Sequence, residues 1–149
     1  MRSLVICLVL FACAVSAQSW VKIPYTNCSS SVTDVTIQTA QISPSWPPKK
    51  GTPFSVNFDA WLLAPISGGT YSFQLIIDGF PLVNKQGSIA DLAKMAHLTL
   101  PIQPGHATFE KDDLQVPSSI PDMDYAVQLD AKDQSGIEIL CIKMEAKIM

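Results

Sequence analysis

The feature that most constrains this chain is a run of short segments in which apolar and polar residues alternate, cut apart by proline and glycine. Phe54, Val56, Phe58, Ala60 and Leu62 fall on one side of an extended segment, with Ser55, Asn57 and Asp59 on the other. Tyr71, Phe73, Leu75 and Ile77 do the same against Ser72, Gln74 and Asp78. A period of two matches the pleat of a half-buried strand and not the 3.6-residue period of a helix. The same pattern predicts strands over 35–39, where Val35 and Ile37 alternate with Thr36 and Gln38, and around Tyr125, Val127 and Leu129. Residues 106–116 and 137–148 read as two more.

The punctuation fits. Pro44, Pro47, Pro48 and Gly51 predict a turn region, and Gly68-Gly69 opens the strand that follows. Asp78-Gly79 predicts a tight hairpin with a short partner strand over 80–83, and Asp133 to Gly136 a polar turn. About seven strands with alternating faces and short turns describe an all-β, immunoglobulin-like sandwich. One segment departs from the pattern, GSIADLAKMAHLTLPIQPG, residues 87–105. Ser88 followed by Asp91 is a capping signal, Ile89, Leu92, Ala93 and Ala96 share a helical face, and Pro101 stops any helix before it. The expectation is a long loop with one or two helical turns, and a loop of that length between strands usually has a task such as lidding or binding.

The first residues read as a secretory leader. Arg2 precedes an apolar run from Leu4 to Val15, and small residues stand at Val15, Ser16 and Ala17 before Gln18. That run is shorter than the ~20 residues a membrane-spanning helix needs. Cleavage after Ala17 leaves a single domain over 18–149, in a secreted or lysosomal/endosomal setting. Cys7 and Cys13 leave with the leader, so Cys28 and Cys141 form the remaining pair, and an oxidising compartment favours a disulfide between them. Zinc is the competing use of two cysteines, without a CxxC to support it. Asn27-Cys28-Ser29 is a formal glycosylation sequon.

Chemistry is sparse. Without Arg2 the chain carries 9 Lys/Arg against 13 Asp/Glu, only Lys49-Lys50 are adjacent, and no basic stripe suggests nucleic acid. His97 and His106 are the only histidines, with neither an H-E-x-x-H motif nor clustered carboxylates to complete a metal site. Ser67-Gly68-Gly69 is not a nucleophile elbow, and Asp112-Asp113 and Asp122/Asp124 read as solvated turn or edge carboxylates. No catalytic residue, metal or cofactor is assigned. What stands out is apolar surplus on alternating faces, which a two-sheet sandwich fills with its own side chains or with a ligand.

The frame Tyr25-Thr26-Asn27-Cys28, DVTIQTAQISPSWPPKKGTPFSV, ISGGTYSFQLIIDGFPL, DLA followed by LPIQPG, and IPDMDYAVQLDAKDQSGIEILCIKMEA resembles the ML lipid-recognition domains. The likeness is in the style of the phosphatidylglycerol/phosphatidylinositol transfer proteins and the Niemann-Pick type C secreted sterol carrier. It covers nearly all of the chain after the leader and lies in order and spacing. Such domains hold a lipid between their two sheets, so the resemblance implies a hollow sandwich, a Cys28–Cys141 disulfide and a lipid carrier that makes no bonds. Further cysteine pairs that many members carry are replaced here around Ser45/Trp46 and Ala93/Leu100.

On strand faces and the adjoining loop, the expected pocket residues are Phe58, Phe73, Leu75, Ile77, Leu98, Leu100, Tyr125, Val127 and Leu129. Lys94 and His97 are candidates for an anionic headgroup. The expected partners are a phospholipid or sterol and, transiently, a membrane surface, with the protein a monomer. The rival class is an extracellular recognition or adhesion protein with a filled core.

Overall fold

The computed structural model describes residues 18–31 and 33–149, so the expected leader, 1–17, lies outside the described residues. In chain order come β1 (Val21–Lys22), β2 (Tyr25–Asn27), β3 (Val35–Ser43), β4 (Pro53–Leu62), β5 (Gly69–Ile77), β6 (Phe80–Ser88), α1 (Ile89–Met95), β7 (Gly105–Gln115), β8 (Met123–Asp133) and β9 (Glu138–Ile148). The strands pair antiparallel in two sheets, β1-β3-β4-β7 and β2-β9-β8-β5-β6. This is the expected two-sheet sandwich with two short strands added at its start. Trp20 to Asn27 is too brief and too interrupted by Pro24 to display a period. β6 also runs further than its apolar start suggests, because Asn84, Lys85 and Gln86 continue the ladder against β5 without adding apolar alternation.

The two short strands close one side of the sandwich. β1 belongs to one sheet and β2 to the other, and between them Ile23, 1% exposed, donates its N–H to the Ala40 carbonyl at 2.8 Å. Just beyond β2, Cys28 is disulfide-bonded to Cys141 on β9, with Cα atoms 5.0 Å apart and a sequence separation of 113. Among the described residues the other side has no such seam. There β6 and β7 are the outer strands of their sheets, linked by α1 and residues 96–104. At the start of β5 a close approach requires glycine: Gly69 has φ +126°, and a Cβ on it would fall 2.0 Å from the Lys132 carbonyl oxygen.

The interior is divided. One buried cluster, at the β1 end, holds Ile23, Ala40 and Ile42; the other, beneath α1, holds Val35, Leu62, Ile66, Ile89, Ala131 and Ile139. Between them the inward positions of the central strands, Phe58, Phe73, Leu75, Val127 and Leu129, are only half-buried. In a filled sandwich the middle of the facing sheets is the best-covered region, because side chains from both inner faces interdigitate there.

On the outer face of the four-stranded sheet, Asp59 ties three strands together. The Thr39 hydroxyl of β3 donates to it at 2.7 Å and the Thr108 hydroxyl of β7 at 2.8 Å, with His106 Nε2 3.5 Å away. The Thr39 hydrogen bond, followed by that of Thr108, holds this carboxyl below the usual aspartate range. A folded-state pKa below the unfolded value means the contribution is complete above about pH 4 and is lost as pH falls through the folded value. Urea midpoints measured down the acid range are therefore expected to fall more steeply below about pH 4 for the native protein than for Asp59→Asn.

Candidate functional site

An apolar hollow of about 150 Å³ lies between the sheets beneath α1, lined by apolar side chains. Val35, Leu62, Ala107 and Phe109 wall it from the four-stranded sheet, and Leu129, Ala131, Ile139 and Leu140 from the five-stranded sheet. Leu92, Ala93, Ala96 and Leu98 roof it. Ile66 and Ile102, which exchange backbone hydrogen bonds at 3.0 and 2.9 Å, complete the lining.

The roof is built from local signals. Ser88 caps α1: its Oγ accepts from the Asp91 N–H at 3.1 Å and donates to Asp91 Oδ2 at 2.7 Å. Ile89 and Ala93 are buried by the face that the spacing predicts. The helix stops well before Pro101. His97 adopts φ +55°, its N–H donates to the Lys94 carbonyl at 3.2 Å, and the Leu98 N–H donates to the Ala93 carbonyl at 2.8 Å. This is the paired C-terminal bonding of a Schellman motif with histidine in the left-handed position. Its consequence is to turn Leu98 back over Ala93, so both meet in the cavity lining.

The structure distributes the sequence-predicted pocket residues along the whole interior. Leu98 and Leu129 line the cavity, and Leu100 packs half-buried against the cluster beneath α1. Phe58 sits one step away, its ring 6.4 Å from that of Phe109 at an interplanar angle of 48°. Phe73, Leu75 and Val127 continue the same inner face toward the β1 end, in register with Leu129, Val127 and Leu75 respectively. Ile77 and Tyr125 pair at the far end of β5 and β8, where Tyr125 is buried and its hydroxyl donates to the Pro121 carbonyl at 2.7 Å. Val35, Leu62, Ala107, Phe109, Ala131, Ile139 and Leu140 join the site without having been singled out, since strand periodicity identifies a face and not a level along it.

Lys94 and His97 are both exposed, on the solvent side of the roof. Asn27 is exposed and its Oδ1 accepts from the Ser29 N–H at 2.8 Å, with the intervening cysteine in the disulfide. Asp130 approaches the sulfurs of Cys28 and Cys141, but these are bonded to each other and offer no thiolate to a metal. A larger hollow of about 370 Å³ lies on the outward face of the five-stranded sheet, among Ile76, Ala126, Lys143 and Glu145. It is open and partly charged, and Tyr125 alone of the expected pocket residues borders it.

Residues 22–148 match the family model described as ML domain. Among solved structures, a Niemann-Pick type C2 protein from Japanese carpenter ant superposes with a TM-score of 0.68 at 14% identity, covering 85% of this chain and 99% of that one. Chicken MD-1 complexed with lipid IVa gives a TM-score of 0.49 at 13% identity, again covering 85% and 99%. No curated protein sequence matches the chain.

Proposed function

The chain belongs to the ML domain family of lipid-binding domains, and on that footing we propose that it carries phospholipid or sterol between membranes, shielding the apolar part of its cargo between the two sheets. The observation that carries this reading is the half-buried middle of the sandwich, continuous with an apolar cavity closed at one end by α1. A hydrocarbon chain entering there exchanges water for apolar walls at about 0.8 kcal/mol per methylene. At about 150 Å³ the cavity beneath α1 takes the end of a chain, and the half-buried faces of Phe58, Phe73, Leu75, Val127 and Leu129 take the rest.

Cargo enters along the open side between β6 and β7. Exposed apolar side chains flank that route: Phe80 is 74% and Leu82 65% exposed on β6, and Met95 is 43% exposed on α1. Such residues suit brief insertion into a membrane surface during loading. No bond is made or broken in this cycle, and the protein works as a monomer in a secreted or lysosomal/endosomal lumen. The rival class, a recognition or adhesion protein with a filled core, is poorly served by central positions that stay half-exposed. The test is transfer of fluorescent phospholipid and sterol between vesicles, with acceleration expected in proportion to protein; no acceleration with either lipid would sink the proposal.

A further inference from the structure

Strand register decides which side chains of the two open edges look inward. On β6, Lys85 pairs with Phe73, which lies opposite Leu129 on β8. On β7, Lys111 pairs with Val56, next to the Phe58–Phe109 pair. Directly opposed residues project to the same face of a sheet, so both lysines lie on the inner, apolar faces. Both are also exposed, because each belongs to an outer strand. A lysine so placed lays its stem along the apolar wall and keeps its ammonium at the watery opening.

Among the described residues, the close ion pairs are Lys50 with Asp122, Lys143 with Glu145 and His106 with Asp59, none of which includes Lys85 or Lys111. Glu110 pairs with Asn57 and so projects outward, while Asp112 and Asp113 occupy the register slip of β7 between the partners of Val56 and Phe54. We infer that Lys85 and Lys111 form a cationic rim on the two sides of the opening and hold the phosphate of an anionic lipid headgroup while its chains lie between the sheets. This rests on the carrier reading and deepens it to a ligand class. Two ammoniums favour a headgroup with net negative charge over phosphocholine, whose own cation they repel.

Inward charges on edge strands have another use, which is to block edge-to-edge pairing of sheets. The experiment therefore reads selectivity. Short-chain phosphatidylglycerol and phosphatidylcholine are titrated below their micelle concentrations, so that no bilayer is present, into the native protein, the Lys85→Gln/Lys111→Gln double variant and Lys22→Gln, an exposed lysine of β1 on the opposite side of the sandwich. Glycerol 3-phosphate supplies the phosphate without chains. The native protein and Lys22→Gln are expected to prefer phosphatidylglycerol by about tenfold, the scale of one charge-assisted contact. The double variant is expected to lose that preference while still binding phosphatidylcholine, which also shows that it is folded; each single substitution reports separately if the double variant does not fold.

The inference is overturned by an absent preference in the native protein, by a preference that survives in the substituted proteins even if they self-associate, or by glycerol 3-phosphate binding as tightly as the lipid. Failure to bind either lipid would instead overturn the carrier reading.

Discussion

Ala107→Phe is expected to suppress lipid uptake while leaving the fold at least as stable as before. Ala107 is half-buried on the inner face of β7, opposite Ala60, and lines the cavity beneath α1. An apolar hollow of about 150 Å³ is large enough to take a benzene ring, and a strand position accepts phenylalanine readily. The ring thus fills space that a lipid chain would use. Displacing about four methylenes from apolar walls removes roughly 3 kcal/mol of binding, or about a hundredfold in affinity. Displacement of a fluorescent lipid gives the affinity, and a thermal melt gives the stability. Unchanged affinity with a folded variant would place the chains elsewhere in the molecule.

The second large effect is on stability. Cys28→Ser is expected to destabilise the protein by about 2–5 kcal/mol, because the bridge closes a loop spanning most of the chain and chain-entropy accounting rises with loop length. Locally it is backed by the Cys28 N–H donating to the Cys141 carbonyl at 3.0 Å and by the short pairing of Tyr25–Asn27 with β9. The remaining Cys141 is 3% exposed and tolerable as a small apolar side chain. In a domain of this size the loss corresponds to a fall of roughly 10–20 °C in melting temperature. A melt of the native protein in reductant is expected to approach that of the variant; equal melting temperatures for native and variant proteins under oxidising conditions would contradict the role given to the bridge.

How much of this was legible in the sequence depended on where packing imposes a period. β4, β5 and β8 each turn one face inward, so the spacing from Phe54 to Leu62, Tyr71 to Ile77 and Tyr125 to Leu129 reads directly as strand. The latter part of β6 does not, because it lies at an open edge: Lys85 occupies an inward position, and Gly87 leaves room for the ring of Tyr71, which a Cβ there would meet at 2.5 Å. α1 could be read because Ser88 and Asp91 carry its cap in their own side chains. Its end could not, since the left-handed conformation falls on a histidine and not on a glycine.

The site was legible as a face and illegible as a place. Alternation makes Phe73, Leu75, Val127 and Leu129 equivalent, and nothing local separates Leu129, which lines the cavity beneath α1, from Val127, which lies one inward position further along β8. That distinction comes from docking α1 over one end and from the Ile66–Ile102 bridge, both tertiary events. The apolar helix face of Leu92, Ala93 and Ala96 was the available signal that the segment is a roof.

The central claim is that apolar cargo occupies the space between the sheets, and extraction of the protein purified from its native source tests it most directly. Organic extraction followed by mass spectrometry is expected to release phospholipid or sterol in a ratio near one molecule per chain, with Ala107→Phe prepared the same way nearly empty. Native protein that yields no lipid, takes up neither phospholipid nor sterol and has a closed core would contradict it.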